Sequence, residues 1–110
     1  MRRRGRRRGP RWITEIPPVE YFHPLGIPGP VPYTVNLTYE ELEALRLVDL
    51  EGHTQEEAAA LMGISRKTLW NDLKNARRKV VLALVKGYAI RIGGGSYALR
   101  GDIKRKGGEK

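Results

Sequence analysis

The stretch TQEEAAALMGISRKTLWNDLK, residues 54–74, decides how this chain is read. Thr54 with Glu57 forms a capping box, in which the hydroxyl takes a free N–H and the carboxylate reaches back. It opens a short helix, about 55–62, with Ala58, Leu61 and Met62 able to face inward. Gly63 ends that helix in a conformation that a β-carbon strains, and Ile64 fills the turn. Ser65 caps a longer helix that runs to Gly87. Along it Leu69, Leu73, Ala76, Val80 and Leu84 recur at spacings of four, three, four and four, one helical stripe expected to face a core. A short helix, a glycine turn and a serine-capped basic helix have the layout of a helix-turn-helix. Ala58 is small where the second helix must cross it.

Away from the leucine stripe, the first turns after Ser65 present Arg66, Lys67, Thr68, Trp70, Asn71 and Lys74. These side chains suit base edges and phosphates in a DNA major groove, and the positive end of the helix dipole favours phosphate. Trp70 either stacks on a sugar or covers the edge of the core. Arg77, Arg78 and Lys79 either approach the DNA backbone or pair with acids of a neighbouring helix.

Upstream, Thr38 with Glu41 is a second capping box, opening a helix with Leu42, Leu45 and Val48 on its apolar face and Leu47 and Leu50 beside them. Gly52 ends it. Residues 10–37 hold all seven prolines, so no helix crosses them. They also hold Trp12, Ile13, Ile16, Val19, Tyr21, Phe22 and Tyr33, which predicts an extended segment anchored over the domain by aromatic side chains. Alternation of Val31, Tyr33, Val35 and Leu37 with polar residues and proline predicts a strand at 31–37. Downstream, YAIRI alternates, GGG turns, and SYALR is expected to return as a β-hairpin over 88–99. The strands at 31–37 and 88–92 bracket the helices. Paired within a chain they clamp the domain; paired between chains they make a homodimer.

The charge is distributed unevenly. The chain has 110 residues, 21 Lys and Arg against 12 Asp and Glu, and a net charge of +9. Residues 1–11 carry seven arginines and no acid, and residues 100–110 carry a net +3, so residues 12–99 are left at −1. Residues 40–57 hold seven acids and one base, and residues 65–91 hold eight bases and one acid. The polar Arg/Gly segment 1–9 is expected to be a disordered arm. Its Arg2, Arg3, Arg4, Arg6, Arg7 and Arg8 suit phosphates or, since GRRRGP loosely echoes minor-groove hooks, a narrow A·T-rich minor groove.

Several classes are disfavoured. With no cysteine there is no disulfide framework, thiol catalysis or cysteine-based zinc site. His23 and His53 alone do not make a metal ligand set, and GGGS at 93–96 lacks the Lys-Ser/Thr of a phosphate loop. No apolar run is long enough to span a membrane, and no apolar segment follows the basic N-terminus as in a signal peptide. The expectation is a cytoplasmic protein that is not an enzyme and has no cofactor.

Residues 37–80, LTYEELEALRLVDLEGHTQEEAAALMGISRKTLWNDLKNARRKV, resemble region four of bacterial sigma factors. With RWITEIPPVEYFHPLGIP before and ALVKGYAIRI after, the chain is similar over roughly residues 2–93 to a family of small archaeal and bacterial proteins of unknown function, described as predicted DNA-binding proteins. The resemblance implies a tri-helical DNA-binding fold and aligns residues 65–74 with the start of the recognition helix. Trp70, Asn71 and Asp72 stand where relatives often carry small, basic and aliphatic residues, so the bases read do not follow from the resemblance.

The expected fold is therefore mainly α: a three-helix, sigma-region-four-like helix-turn-helix domain at 38–87. An Arg-rich arm (1–11) and a proline-rich extended segment (12–37) precede it; a short C-terminal hairpin (88–99) and a basic tail (100–110) follow. The expected partner is double-stranded DNA and the expected role transcription regulation. The alternatives are an RNA- or ribosome-associated protein using the arm, and an interaction module contacting the transcription machinery through the acidic first helix.

Overall fold

The computed structural model describes residues 11–26, 28–30, 33–95 and 97–99. In chain order the elements are strands β1 (Arg11–Ile13), β2 (Tyr21–Phe22) and β3 (Thr34–Leu37), helix α1 (Tyr39–Leu45) continuing into a π-helical turn (Arg46–Leu50), helices α2 (Gln55–Met62) and α3 (Arg66–Lys86), and strands β4 (Ala89–Ile92) and β5 (Tyr97–Leu99). Among the described residues no helix is long and apolar enough to cross a membrane.

The helices start and stop where local chemistry dictates. Both capping boxes form: Thr38 Oγ1 accepts from Glu41 N–H while Glu41 returns to Thr38 N–H, and Thr54 and Glu57 do the same. Gly63 closes α2 at φ 71° and Gly87 closes α3 at φ 75°, left-handed conformations that favour glycine.

Two apolar clusters meet at α1 and α3. In the first, Ala44 and Leu47 pack with Ala58, Ala59 and Met62 of α2 and Leu69 and Leu73 of α3. The alanines let α2 lie close to α3. In the second, Leu37 of β3, Ala76 of α3 and Ile92 of β4 come together under Tyr39, Leu42, Val80 and Ile90. Leu45 packs against both.

The mainly α expectation is corrected here. Five strands in two sheets flank the helices, making a mixed α/β domain. The three-stranded sheet has the order β2-β4-β3, with β3 parallel and β2 antiparallel to β4. Thr34 pairs with Ala89 and Leu37 with Ile92, so the strands that bracket the helices join within one chain. The C-terminal hairpin does not form. β4 and β5 lie in different sheets, and β5 pairs in parallel with β1, Ile13 opposite Leu99. The reason lies in residues 93–95. Gly93 N–H donates to Leu37 C=O and Gly94 C=O accepts from Tyr39 N–H, so the glycines cross the start of α1 instead of reversing the chain. Gly95 presses on Glu40, and a β-carbon there would collide with that carboxylate.

Two smaller differences concern the helix faces. Leu84 is 75% exposed and Leu50 76% exposed, against the apolar-face positions that the spacing predicts for them; Ala83 is buried instead of Leu84. A stripe spaced four, three, four and four drifts round a helix of 3.6 residues per turn. By Leu84 it has left the side that β3 and β4 cover. At Leu50 the wider π-helical turn has likewise changed which side chain faces inward.

Candidate nucleic-acid interface

Ser65 stands outside α3 with extended backbone (φ −73°, ψ 158°) and accepts from Thr68 N–H at 3.0 Å, while the two hydroxyls lie 2.9 Å apart. The first turn of α3 carries no acid, so its positive end is not neutralised from within. Leu69, Asp72, Leu73 and Ala76 fix the rotation of the helix by facing the body. Lys67, Asn71, Lys74 and Arg78 are exposed on the other side, at spacings of four, three and four. They form one row along about 16 Å of helix, at 1.5 Å per residue.

The cations of this region divide into two kinds. Those beside the body are held by acids. Arg77 forms a two-pronged pair with Asp49 (2.8 and 3.1 Å), and this bonding keeps the Asp49 carboxyl below its ordinary pKa and raises that of Arg77. Lys79 donates to Glu41 at 2.7 Å and to Asn36 C=O at 2.8 Å. Arg46 is bound by Glu43 and Glu51, with Thr14 completing the group. Arg66 stands 3.8 Å from Glu56, with both side chains mostly exposed. Lys67, Lys74 and Arg78, in contrast, have no acidic partner among the described residues. Trp70, 40% exposed, lies on the flank of this row.

A further contact was not legible in the sequence. Arg11 donates from Nε and Nη2 to Asp72 of α3, at 2.8 and 3.3 Å, and the Trp12 ring lies over Gly63. A β-carbon at Gly63 would sit 3.5 Å from that ring. Burial pushes the Asp72 carboxyl up and Arg11 opposes the shift, so the pair answers a charge that would otherwise be poorly solvated. Residues separated by 61 positions meet here, and no spacing rule connects them. Arg2, Arg3, Arg4, Arg6, Arg7 and Arg8 lie outside the described residues, but Arg11, to which their segment joins, is fastened to α3 itself.

The first helix is acidic in sequence, but little of that charge is free at its surface: Asp49 of its π-helical turn and Glu51 just after it are about half exposed and pair with Arg77 and Arg46. Glu40, Glu41 and Glu43 are buried. Glu41 is occupied by Lys79, and Glu43 by Arg46 and Thr14.

A family model described as "Protein of unknown function DUF134" matches residues 1–100. The chain is 55% identical over 94 residues to a UPF0251 protein of Methanosarcina acetivorans, covering 86% of this chain and 84% of that one. It is 52% identical over 98 residues to a UPF0251 protein of Methanococcus maripaludis, covering 89% and 75%. It is 50% identical over 99 residues to one of Caldanaerobacter subterraneus, covering 89% and 84%. No solved structure matches.

Proposed function

The chain belongs to the DUF134 family, whose description names no activity, and from its own residues we propose that it binds double-stranded DNA and regulates transcription. The observation that carries this reading is the row Lys67, Asn71, Lys74 and Arg78, whose three cations stand without acidic partners among the described residues while Arg77 and Lys79 beside them are paired. An α-helix with its side chains is about 10–12 Å across and fits a major groove about 12 Å wide. Lysine recognises guanine O6 and N7, and asparagine pairs in two-pronged fashion with adenine N6 and N7. Arg66, just before the row, and Arg78, at its far end, reach phosphates. Ser65, Thr68 and the free N–H groups of the first turn add a neutral phosphate contact. Trp70 stacks against a sugar at the groove edge. Arg77 stays with Asp49 and steadies the helix.

The fastening of Arg11 to Asp72 supports a joint role for arm and helix. It holds Arg11, the residue that follows residues 1–10 and their six arginines, on the reading helix, and those arginines are assigned to phosphate or minor-groove contacts.

Two considerations bear on the alternatives. The A-form major groove of duplex RNA is deep and narrow, so the row on α3 does not suit it, and an RNA role would rest on the Arg-rich arm. The carboxylates of α1 are consumed inside the domain, which leaves little acidic surface for docking through that helix.

The test begins with a selection from random duplexes and compares the selected DNA with an RNA duplex of the same sequence at physiological salt. The expected result is tighter binding to DNA by at least tenfold. Equal affinity for the two, or a preference for RNA, overturns the proposal.

A further inference from the structure

Beyond the cationic row, α3 changes character. Val81, Leu84 and Val85 are 55%, 75% and 73% exposed, with Leu82 beside them at 37%. Phe22, 53% exposed, and Pro24 border a groove with Leu84 and Tyr88, extending the apolar surface beyond the helix. Residues 80–85 contain no charge and no polar side chain.

We infer that this face is the interface of a two-fold homodimer, formed by the C-terminal halves of two α3 helices with the Phe22–Leu84 groove of each copy receiving the other. Area is the first argument. A free Phe side chain exposes about 150–250 Å², and Val and Leu fall at or below the lower end of that range. Val81, Leu82, Leu84, Val85 and Phe22 therefore leave on the order of 500 Å² of apolar surface per copy, more than half of the about 800 Å² per partner that a stable interface buries. An exposed apolar patch of this size is at the upper end for a protein that stays monomeric. A contact of this kind is self-complementary, as a two-fold interface requires, and opposes no like charges across Val81–Val85.

Geometry is the second argument, and it rests on the DNA reading above. Asn71, the middle of the reading row, lies 13 residues from Leu84, about 20 Å along the helix. Two antiparallel copies joined at Leu84 place their reading rows roughly 40 Å apart, and less if the helices cross at an angle. Successive major grooves on one side of B-DNA are about 34–36 Å apart. Leu84 and the Phe22 groove stand roughly a quarter-turn round the helix from Lys67 and Lys74, so a pair joined through that groove keeps both cationic rows on one side, with Val81 and Val85, which continue the line of the row, at the edge of the contact.

The test is sedimentation velocity on the full chain without DNA, over a dilution series. The expected mass rises from 12.5 kDa to about twice that value at tens of micromolar protein. Leu84→Lys and, separately, Val85→Lys weaken association at least tenfold with unchanged helical circular dichroism, since both positions are exposed in the single chain. The chain has no cysteine, so Leu84→Cys reports directly. Mild oxidation is expected to link it into a covalent dimer, whereas Glu51→Cys, far along the chain on α1's exit, stays single. A wild-type chain that remains at 12.5 kDa throughout, or lysine variants that associate as well as the wild type, overturns the inference. Because association is read without DNA, a monomer leaves the DNA proposal standing, and a dimer that ignores DNA overturns only that proposal.

Discussion

Deleting residues 1–10 is expected to flatten the salt dependence of duplex binding by about five log units per log unit of salt, because each neutralised phosphate contributes about 0.9 to that slope and the segment carries six arginines. A protein with six or more phosphate contacts loses about a thousandfold or more in affinity between 50 and 200 mM salt, and most of that loss is expected to vanish with the arm. The deletion is also expected to weaken binding at low salt by several orders of magnitude. The preference for a selected duplex over a scrambled one should survive, since phosphate contacts carry no base information. The folded body should survive as well, because Arg11, Trp12 and Ile13 are retained with their contacts to Asp72, Gly63 and Leu99. Binding measured by fluorescence anisotropy across a salt series decides the matter. An unchanged slope removes the arm from the interface. A loss of preference for A·T-rich over G·C-rich duplexes upon deletion assigns the arm to the minor groove, and an unchanged preference assigns it to phosphates.

The second large effect concerns the core under α3. Leu69 is fully buried and packs with Ala58, Met62 and Leu73, where α2 and α3 are joined. Leu69→Ala is expected to cost about 2–5 kcal/mol, from lost apolar burial plus a cavity that close-packed alanine neighbours cannot refill. For a domain of this size that corresponds to a fall in melting temperature of roughly 10–30 °C. The same truncation at Leu84 should cost far less at protein concentrations too low for association, because that side chain is 75% exposed in the single chain. Thermal unfolding of the two variants side by side tests whether the drift of the leucine stripe is as described; equal losses at the two positions contradict it.

What was legible in the sequence was local. Thr38, Thr54 and Ser65 each satisfy N–H groups within three residues of themselves, and Gly63 and Gly87 answer a conformational demand at their own positions. These features placed all three helices, including the start of α3. The strands were less legible because their partners are distant. Arg11–Ile13 and Tyr21–Phe22 are too short to show a period, and they become strands only because Tyr97–Leu99 and Ala89–Ile92 lie alongside. The run at 93–95 has the composition of a hairpin turn, but backbone hydrogen bonds to Leu37 and Tyr39 carry it across α1. At the candidate site the exposed row on α3 followed from helical spacing. Which of its cations are already held did not, because Asp49–Arg77, Glu41–Lys79 and Arg11–Asp72 each join different elements.

The most direct test of the account is the affinity of the wild-type chain and of Lys67→Ala/Lys74→Ala for one selected duplex and for a scrambled duplex of equal length. Base contacts of this kind are worth about 1–3 kcal/mol each, or roughly 5- to 150-fold. The double variant is expected to lose most of its discrimination between the two duplexes while keeping its fold, since both lysines are exposed and without acidic partners among the described residues. A variant that discriminates as well as the wild type contradicts the claim that α3 reads DNA.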